Sequence, residues 1–126
     1  MRVLIIEDQP AIAMVLEGLV SDEGHEAIVR ADGLSGLERL SQAPLPDLAL
    51  VDLFMPGMSG RDVVEVARSR PGLADLPIVL ITGAVPSAGV FPPKNSYQAF
   101  IRKPFDVQQV LETIKRLTVD RLAPRR

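Results

Sequence analysis

Four short apolar runs, each closed by a polar residue, constrain this chain more than any other feature. They are Val3-Leu4-Ile5-Ile6-Glu7-Asp8, Leu48-Ala49-Leu50-Val51-Asp52, Ile78-Val79-Leu80-Ile81-Thr82 and Phe100-Ile101-Arg102-Lys103. Short aliphatic runs rich in β-branched residues read as strands buried on both faces. Segments of helical spacing separate most of them, which implies crossover connections and a doubly wound α/β fold with a parallel sheet. Ligands of open parallel sheets bind beyond the carboxyl ends of the strands. The polar closures therefore gather at one edge: three carboxylates, a hydroxyl and an ammonium.

The elements follow in order. Residues 2–7 read as the first strand, and Pro10 opens a helix over about 10–22, since proline is tolerated in a first turn. Ile12, Val15, Leu16 and Leu19 form its apolar stripe. Gly24 ends that helix, and Glu26-Ala27-Ile28-Val29 is a second strand. Leu34, Leu37 and Leu40 mark a second helix, closed by Pro44 and Pro46. After the third strand, residues 48–52, the segment Met55-Pro56-Gly57-Met58-Ser59-Gly60 turns the chain. Ser59 is the expected N-cap of a helix over about 60–70, with Val63, Val64 and Ala67 inward. Pro77 precedes the fourth strand, 78–82, and a fifth ends at Lys103. Asp106 caps a final helix whose inward face is Val107, Val110, Leu111, Ile114 and Leu117.

One stretch breaks the rhythm. Alternation calls for a helix between Thr82 and Lys103, but Gly83, Pro86, Gly89, Pro92 and Pro93 fall there. An interior proline costs a helix roughly 3 kcal/mol. Residues 83–97 are therefore expected to be mostly loop, with a helix no longer than about 94–97.

At 126 residues the chain suits one domain, expected over 1–120 with 121–126 as a tail. Hydrophobic residues at 47% against aromatics at 4% favour an aliphatic interior over an aromatic binding platform. The lack of cysteine excludes disulfides and thiolate metal sites. A net charge of −2 argues against a nucleic-acid footprint. Of the late cations Lys115, Arg116, Arg121, Arg125 and Arg126, the first two are expected near a helix C-terminus. No window approaches the roughly 20 apolar residues needed to cross a bilayer, and Glu7-Asp8 ends the first apolar run wrongly for a signal peptide. A soluble, cytoplasmic protein with no membrane or nucleic-acid partner is the expectation.

The chemistry follows from the crowding. Two like charges about 4 Å apart cost on the order of 4 kcal/mol at an effective dielectric near 20. A chain that brings Glu7, Asp8 and Asp52 together should bind a cation, and oxygen-only ligands favour Mg²⁺ or Ca²⁺. Mg²⁺ typically takes one or two carboxylates, several waters and a phosphate oxygen. A backbone carbonyl just after Asp52, that of Phe54, is a candidate for one further ligand. A carboxylate can also attack phosphorus to form an aspartyl phosphate. Phosphoryl transfer needs mainly positioning and neutralisation of the equatorial oxygens. Mg²⁺, the Lys103 ammonium and the Thr82 hydroxyl would each serve one of them. Singly, each residue has an ordinary explanation: a turn aspartate, a helix-dipole Glu-Asp pair, a strand threonine, a Lys-Pro turn. Their joint occurrence at successive strand ends points to phosphoryl chemistry.

These positions carry a resemblance: Glu7-Asp8, Asp52 with Met55-Pro56 and Gly60 downstream, Thr82-Gly83, and Lys103-Pro104-Phe105. Over nearly its whole length the chain resembles a receiver domain of two-component response regulators, with the flavodoxin-like fold of the chemotaxis regulators. That resemblance implies five strands in the order 2-1-3-4-5. It makes Glu7 and Asp8 the Mg²⁺ holders, with Asp52 and the Phe54 carbonyl, and Asp52 the phosphoacceptor. Thr82 and Lys103 would contact the phosphoryl group, and Phe100 would be a switch aromatic that turns inward when Thr82 moves. The donor would be a sensor histidine kinase or a histidine phosphotransfer protein, and the downstream target is not named by any residue. Such a domain is a signalling switch that assists its own phosphorylation and dephosphorylation, not an enzyme acting on outside substrates.

Two departures matter. The proline-rich 83–97 segment replaces a helix whose face often mediates docking in this family, and it resembles single-domain receivers with a loop there. Phe54 is bulky and apolar where many relatives are polar, so it is expected to shield Asp52 from water. A Mg²⁺-dependent phosphohydrolase is the rival enzyme, but it usually needs a second acid at the position Phe54 occupies. A degenerate docking module is the other rival, disfavoured because every acidic and basic position is intact. A chain of 126 residues leaves no room for an output domain beside the receiver, so it would work alone or continue past Arg126.

Overall fold

The computed structural model describes residues 1–83 and 89–122. Five strands, β1 (Arg2–Ile6), β2 (Glu26–Arg30), β3 (Leu48–Asp52), β4 (Ile78–Thr82) and β5 (Ala99–Arg102), form one sheet in the order β2-β1-β3-β4-β5. All four pairings are parallel. Helices α1 (Pro10–Asp22), α2 (Gly33–Leu40), α3 (Gly60–Arg68) and α4 (Val107–Leu122) connect or flank them. This is the doubly wound fold that the apolar runs imply. Among the described residues no helix is long and apolar enough to cross a membrane.

Strand alternation sends side chains to two aliphatic cores. Leu4, Ile6, Ala49, Val51, Ile78 and Leu80 pack with α2 and α3 on one side. Val3, Ile5, Leu50, Val79, Ile81 and Ile101 pack with α1 and α4 on the other. The central strands β3 and β4 are buried along their full length.

Helix starts follow local chemistry. Ser59 caps α3 in a reciprocal box with Asp62, each side chain meeting the other's backbone N–H. Asp32 accepts from the Ser35 N–H at 2.7 Å, and Asp106 from the Gln108 N–H at 2.8 Å. The Ser59 and Asp106 caps are the expected ones.

Three expected inward residues face out. Val15 is 46% exposed, because the contact line of α1 runs through Ala13, Leu16 and Val20. Leu34 is 63% exposed: α2 meets the sheet along Gly33, Gly36, Leu37 and Leu40, with Gly36 pressed against Ile6. Val107, at the first position of α4, is exposed, and the helix first reaches the core at Val110. Lys115 and Arg116 lie mid-helix on the exposed side of α4 rather than in its last turn, because the helix continues to Leu122. It thus includes the first two residues of the expected tail.

The connection between β4 and β5 is loop where described, with one 3₁₀ turn at Lys94–Ser96; residues 84–88 of the expected loop lie outside the described residues. Aromatic packing does a helix's work here. Phe91 is buried, with its ring edge-on to Phe100 at 5.5 Å and to Tyr97 at 6.1 Å. Two arginines of α3 hold the loop's backbone: Arg61 Nη1 donates to the Gly89 carbonyl at 2.8 Å and Arg68 Nε to the Ser96 carbonyl at 2.9 Å.

The start of α3 abuts the end of β3. The Gly60 N–H donates to the Leu53 carbonyl at 2.9 Å, and a Cβ on Gly60 would clash with the Asp52 carbonyl oxygen. Backbone cannot yield as a flexible side chain does. Gly60→Ala is therefore expected to cost about 2–4 kcal/mol of unfolding free energy in urea titration, the upper range of overpacking losses.

Candidate functional site

The register of the sheet brings the polar closures together. Asp52 is the last residue of β3 and is buried; Glu7 and Asp8 follow β1, which pairs with β3 up to Ile6↔Val51. The Glu7 N–H donates to the Arg30 carbonyl at 3.0 Å, which carries the ladder one step past β1. Carboxylate oxygens of Glu7, Asp8 and Asp52 all lie within 4.8 Å of one another. From the other side, the Lys103 N–H donates to the Thr82 carbonyl at 2.8 Å, so β4 fixes where that lysine leaves β5.

Lys103 Nζ stands 2.9 Å from Glu7 Oε1 and 3.5 Å from Asp52 Oδ2, and donates to Gln9 Oε1 at 3.3 Å. The Glu7 contact is an ion pair without hydrogen-bond alignment, so buried Glu7 Oε1 has no hydrogen-bond partner. Asp8 Oδ1 is likewise buried without one. A buried Asp8 oxygen without a partner, inside an acidic trio that one lysine only partly offsets, is what a hard divalent cation satisfies, and the all-oxygen donor set suits Mg²⁺. The residues present fit that ion. Above them opens a cleft of about 220 Å³ lined by Asp8, Gln9, Asp52, Phe54, Gly83 and Lys103.

Crowding shows in the acidity of Asp52, which is pushed up from 3.8 to about 7. Burial is the largest cause, followed by a hydrogen bond to Glu7 and the Glu7 charge; Lys103 pulls the other way. A carboxylate with such a raised value is disfavoured in its charged form.

Glu7, Asp8, Asp52 and Lys103 are thus brought together as expected. Thr82 is fully buried at the end of β4, one residue beyond Ile81, the register partner of Asp52. Phe54 stands at the rim, 55% exposed, its N–H 3.4 Å from Asp52 Oδ1. Phe100 lies outside the cluster, 38% exposed against Phe91. Gln9 was not among the expected site residues. Its one signal in the sequence is a poor capping residue between Asp8 and the helix-opening Pro10.

A sequence profile of the response regulator receiver domain matches residues 3–115. The chain belongs to that family, the phosphorylation-controlled switches of two-component signalling. It is 30% identical over 115 residues, 90% of this chain, to the DNA-binding response regulator MtrA of Mycolicibacterium smegmatis. The chain spans about half the length of that relative, 49%. In structure it is similar to a CheY-like receiver domain protein from Methanospirillum hungatei, with a TM-score of 0.84 and 30% identity over 95% of this chain and 94% of that one. It is also similar to the response regulator TrrA of Thermotoga maritima, solved in complex with Mg²⁺–BeF, with a TM-score of 0.80 and 26% identity over 92% and 97%.

The acidity of Asp52 sets a pH dependence. Its folded value lies above the unfolded one, so its contribution to stability is present near pH 4 and is lost as pH rises through about 7. Asp52→Asn imitates the protonated acid. The metal-free mutant should match wild type near pH 4 and exceed it at pH 8, by on the order of 1–2 kcal/mol after solvent screening at the open side of the site. Thermal melts across that range check this, and added Mg²⁺ should raise the melting temperature of wild type far more than that of the mutant.

Proposed function

We propose that Asp52 is the phosphoacceptor of this receiver domain, with Glu7, Asp8, Asp52 and the Phe54 carbonyl as the Mg²⁺ ligands. The observation that carries this is the Lys103 ammonium 3.5 Å from Asp52 inside a trio of carboxylates. Bound there, Mg²⁺ would offset the negative charge that builds on the transferring phosphoryl oxygens.

The chain's own residues supply the rest. Asp52, deprotonated, presents an oxygen to the phosphorus of a phosphohistidine on a sensor kinase or phosphotransfer protein. A P–O bond forms as the P–N bond breaks, and the electron pair stays on the departing imidazole nitrogen. Lys103 neutralises one phosphoryl oxygen from its place beside Asp52. The Thr82 hydroxyl meets another, and a backbone N–H near Gly83 completes the set. This is positioning and electrostatics rather than covalent work by several groups.

The same residues govern reversal. Phe54 at the rim offers no acid or amide to activate water, so hydrolysis of the acyl phosphate is slow. In this reading Thr82 moves toward the phosphoryl group and Phe100 turns inward, which requires Phe91, now edge-on to it, to give way. The β4–β5 connection then changes what it presents to a target. A cytoplasmic setting without direct nucleic-acid contact accords with this role and with the net charge of −2.

Acetyl phosphate with Mg²⁺, read by intact mass, tests the acceptor. Wild type should gain one phosphoryl group and Asp52→Asn none; equal labelling of both would remove Asp52 from the role. Phe54→Asn should lose phosphate about tenfold faster, a barrier change of about 1.4 kcal/mol. An unchanged rate would remove the shielding role of that ring.

A further inference from the structure

Gln9 occupies a cap position that its side chain does not cap. Its backbone is extended, at φ −88° and ψ 110°, and its carbonyl accepts from the Ala13 N–H at 3.0 Å, so α1 begins normally. Yet its side chain makes no capping bond. Serine, threonine, aspartate and asparagine are preferred there because their short side chains satisfy an orphan backbone donor. The other three helices use such residues: Asp32, Ser59 and Asp106.

The carboxamide reaches elsewhere. Gln9 Oε1 accepts from Lys103 Nζ at 3.3 Å, linking the start of α1 to the residue after β5, 94 positions away. Its N–H donates to Glu7 Oε2 at 3.2 Å, which ties its backbone to the acidic trio. It also lines the cleft over Asp52.

Lys103 has three acceptors within reach: Glu7 at 2.9 Å, Gln9 at 3.3 Å and Asp52 at 3.5 Å. Two of them are carboxylates of the candidate metal set. A divalent ion held by that set would draw both carboxylates away from the ammonium and repel it. Gln9 is the neutral acceptor and stands outside the trio. A lysine head on a flexible four-carbon stem needs such a tether to stay in place, and a displacement of about 1 Å at a reacting group can lower a rate 10²-fold.

We propose that Gln9 is a positioning residue for Lys103, holding its ammonium over Asp52 when the acidic pocket is filled. This rests on the reading of Asp52 as acceptor and Lys103 as phosphoryl contact, and adds to it the group that keeps Lys103 there.

Two substitutions separate this role from helix capping. Gln9→Ser supplies a good cap and removes the reach; Gln9→Met keeps the length and removes the acceptor. Both should phosphorylate from acetyl phosphate, at saturating Mg²⁺, about five- to tenfold more slowly in maximal rate, the weight of one charge-assisted hydrogen bond. The donor concentration for half-maximal rate should change little, and Gln9→Ser should melt no lower than wild type. By NMR, the Lys103 side-chain signal should stay dispersed in Mg²⁺-loaded wild type and collapse toward that of free lysine in both variants. Wild-type rates in both variants, with the Lys103 signal unmoved, would overturn the proposal. Should wild type itself take no phosphoryl group, the acceptor reading fails, and the Lys103 signal still decides the role of Gln9.

Discussion

Three carboxylates share a space less than 5 Å across at the end of a buried sheet, and one lysine offsets them. Folding alone does not favour this. Burial, then a hydrogen bond to Glu7 and the Glu7 charge, lift Asp52 to about 7. The strands hold the arrangement because their ladders and two aliphatic cores outweigh the local penalty. A site kept in that condition is ready for whatever relieves it. In the proposed reading a hard cation would satisfy the unpartnered Asp8 oxygen, and a phosphoryl group would give Lys103 a new anion to neutralise.

The surrounding frame is built to keep the site from relaxing. Gly60 lets the α3 terminus press against the Asp52 carbonyl, and the Ser59–Asp62 capping box fixes the entry of the chain into that helix. Glu7 is drawn onto the ladder by Arg30, and Lys103 by Thr82. Glu7, Asp52 and Lys103 are therefore set by backbone hydrogen bonds of the sheet. Loop geometry alone would hold them less tightly.

The β4–β5 connection joins the same frame from the opposite direction. Arg61 directly follows Gly60, so the helix end that touches Asp52 also holds the Gly89 carbonyl. Phe91 seals the core where the described part of the connection holds only a 3₁₀ turn, and Phe100 leans on it from β5. The acidic site and this aromatic cover thus meet through two routes, one along β4 and one through α3. That contiguity is a physical basis for coupling.

Much of this was legible beforehand. The five strands, the Ser59 and Asp106 caps and the loop character of the described part of the β4–β5 connection all follow from rules that act within a few residues. So does the clustering of Glu7, Asp8, Asp52 and Lys103, because parallel strands align their carboxyl ends. The facing of Val15, Leu34 and Val107 was not legible. Helical spacing gives several nearby stripes, and the approach of each helix to the sheet chooses among them, as Gly36 does for α2. Phe91 read as loop, since nothing nearby in the chain announces the core gap it fills.

The chain's residue order by itself determined which chemical groups close the strands and that they share an edge. Only the tertiary structure decided their distances, the choice of Gln9 as a partner for Lys103 and the degree to which Asp52 resists ionisation. The physical reason is range. Backbone propensity and apolar patterning act locally, whereas charge repulsion and hydrogen bonding turn on ångström separations between residues as far apart in sequence as Gln9 and Lys103.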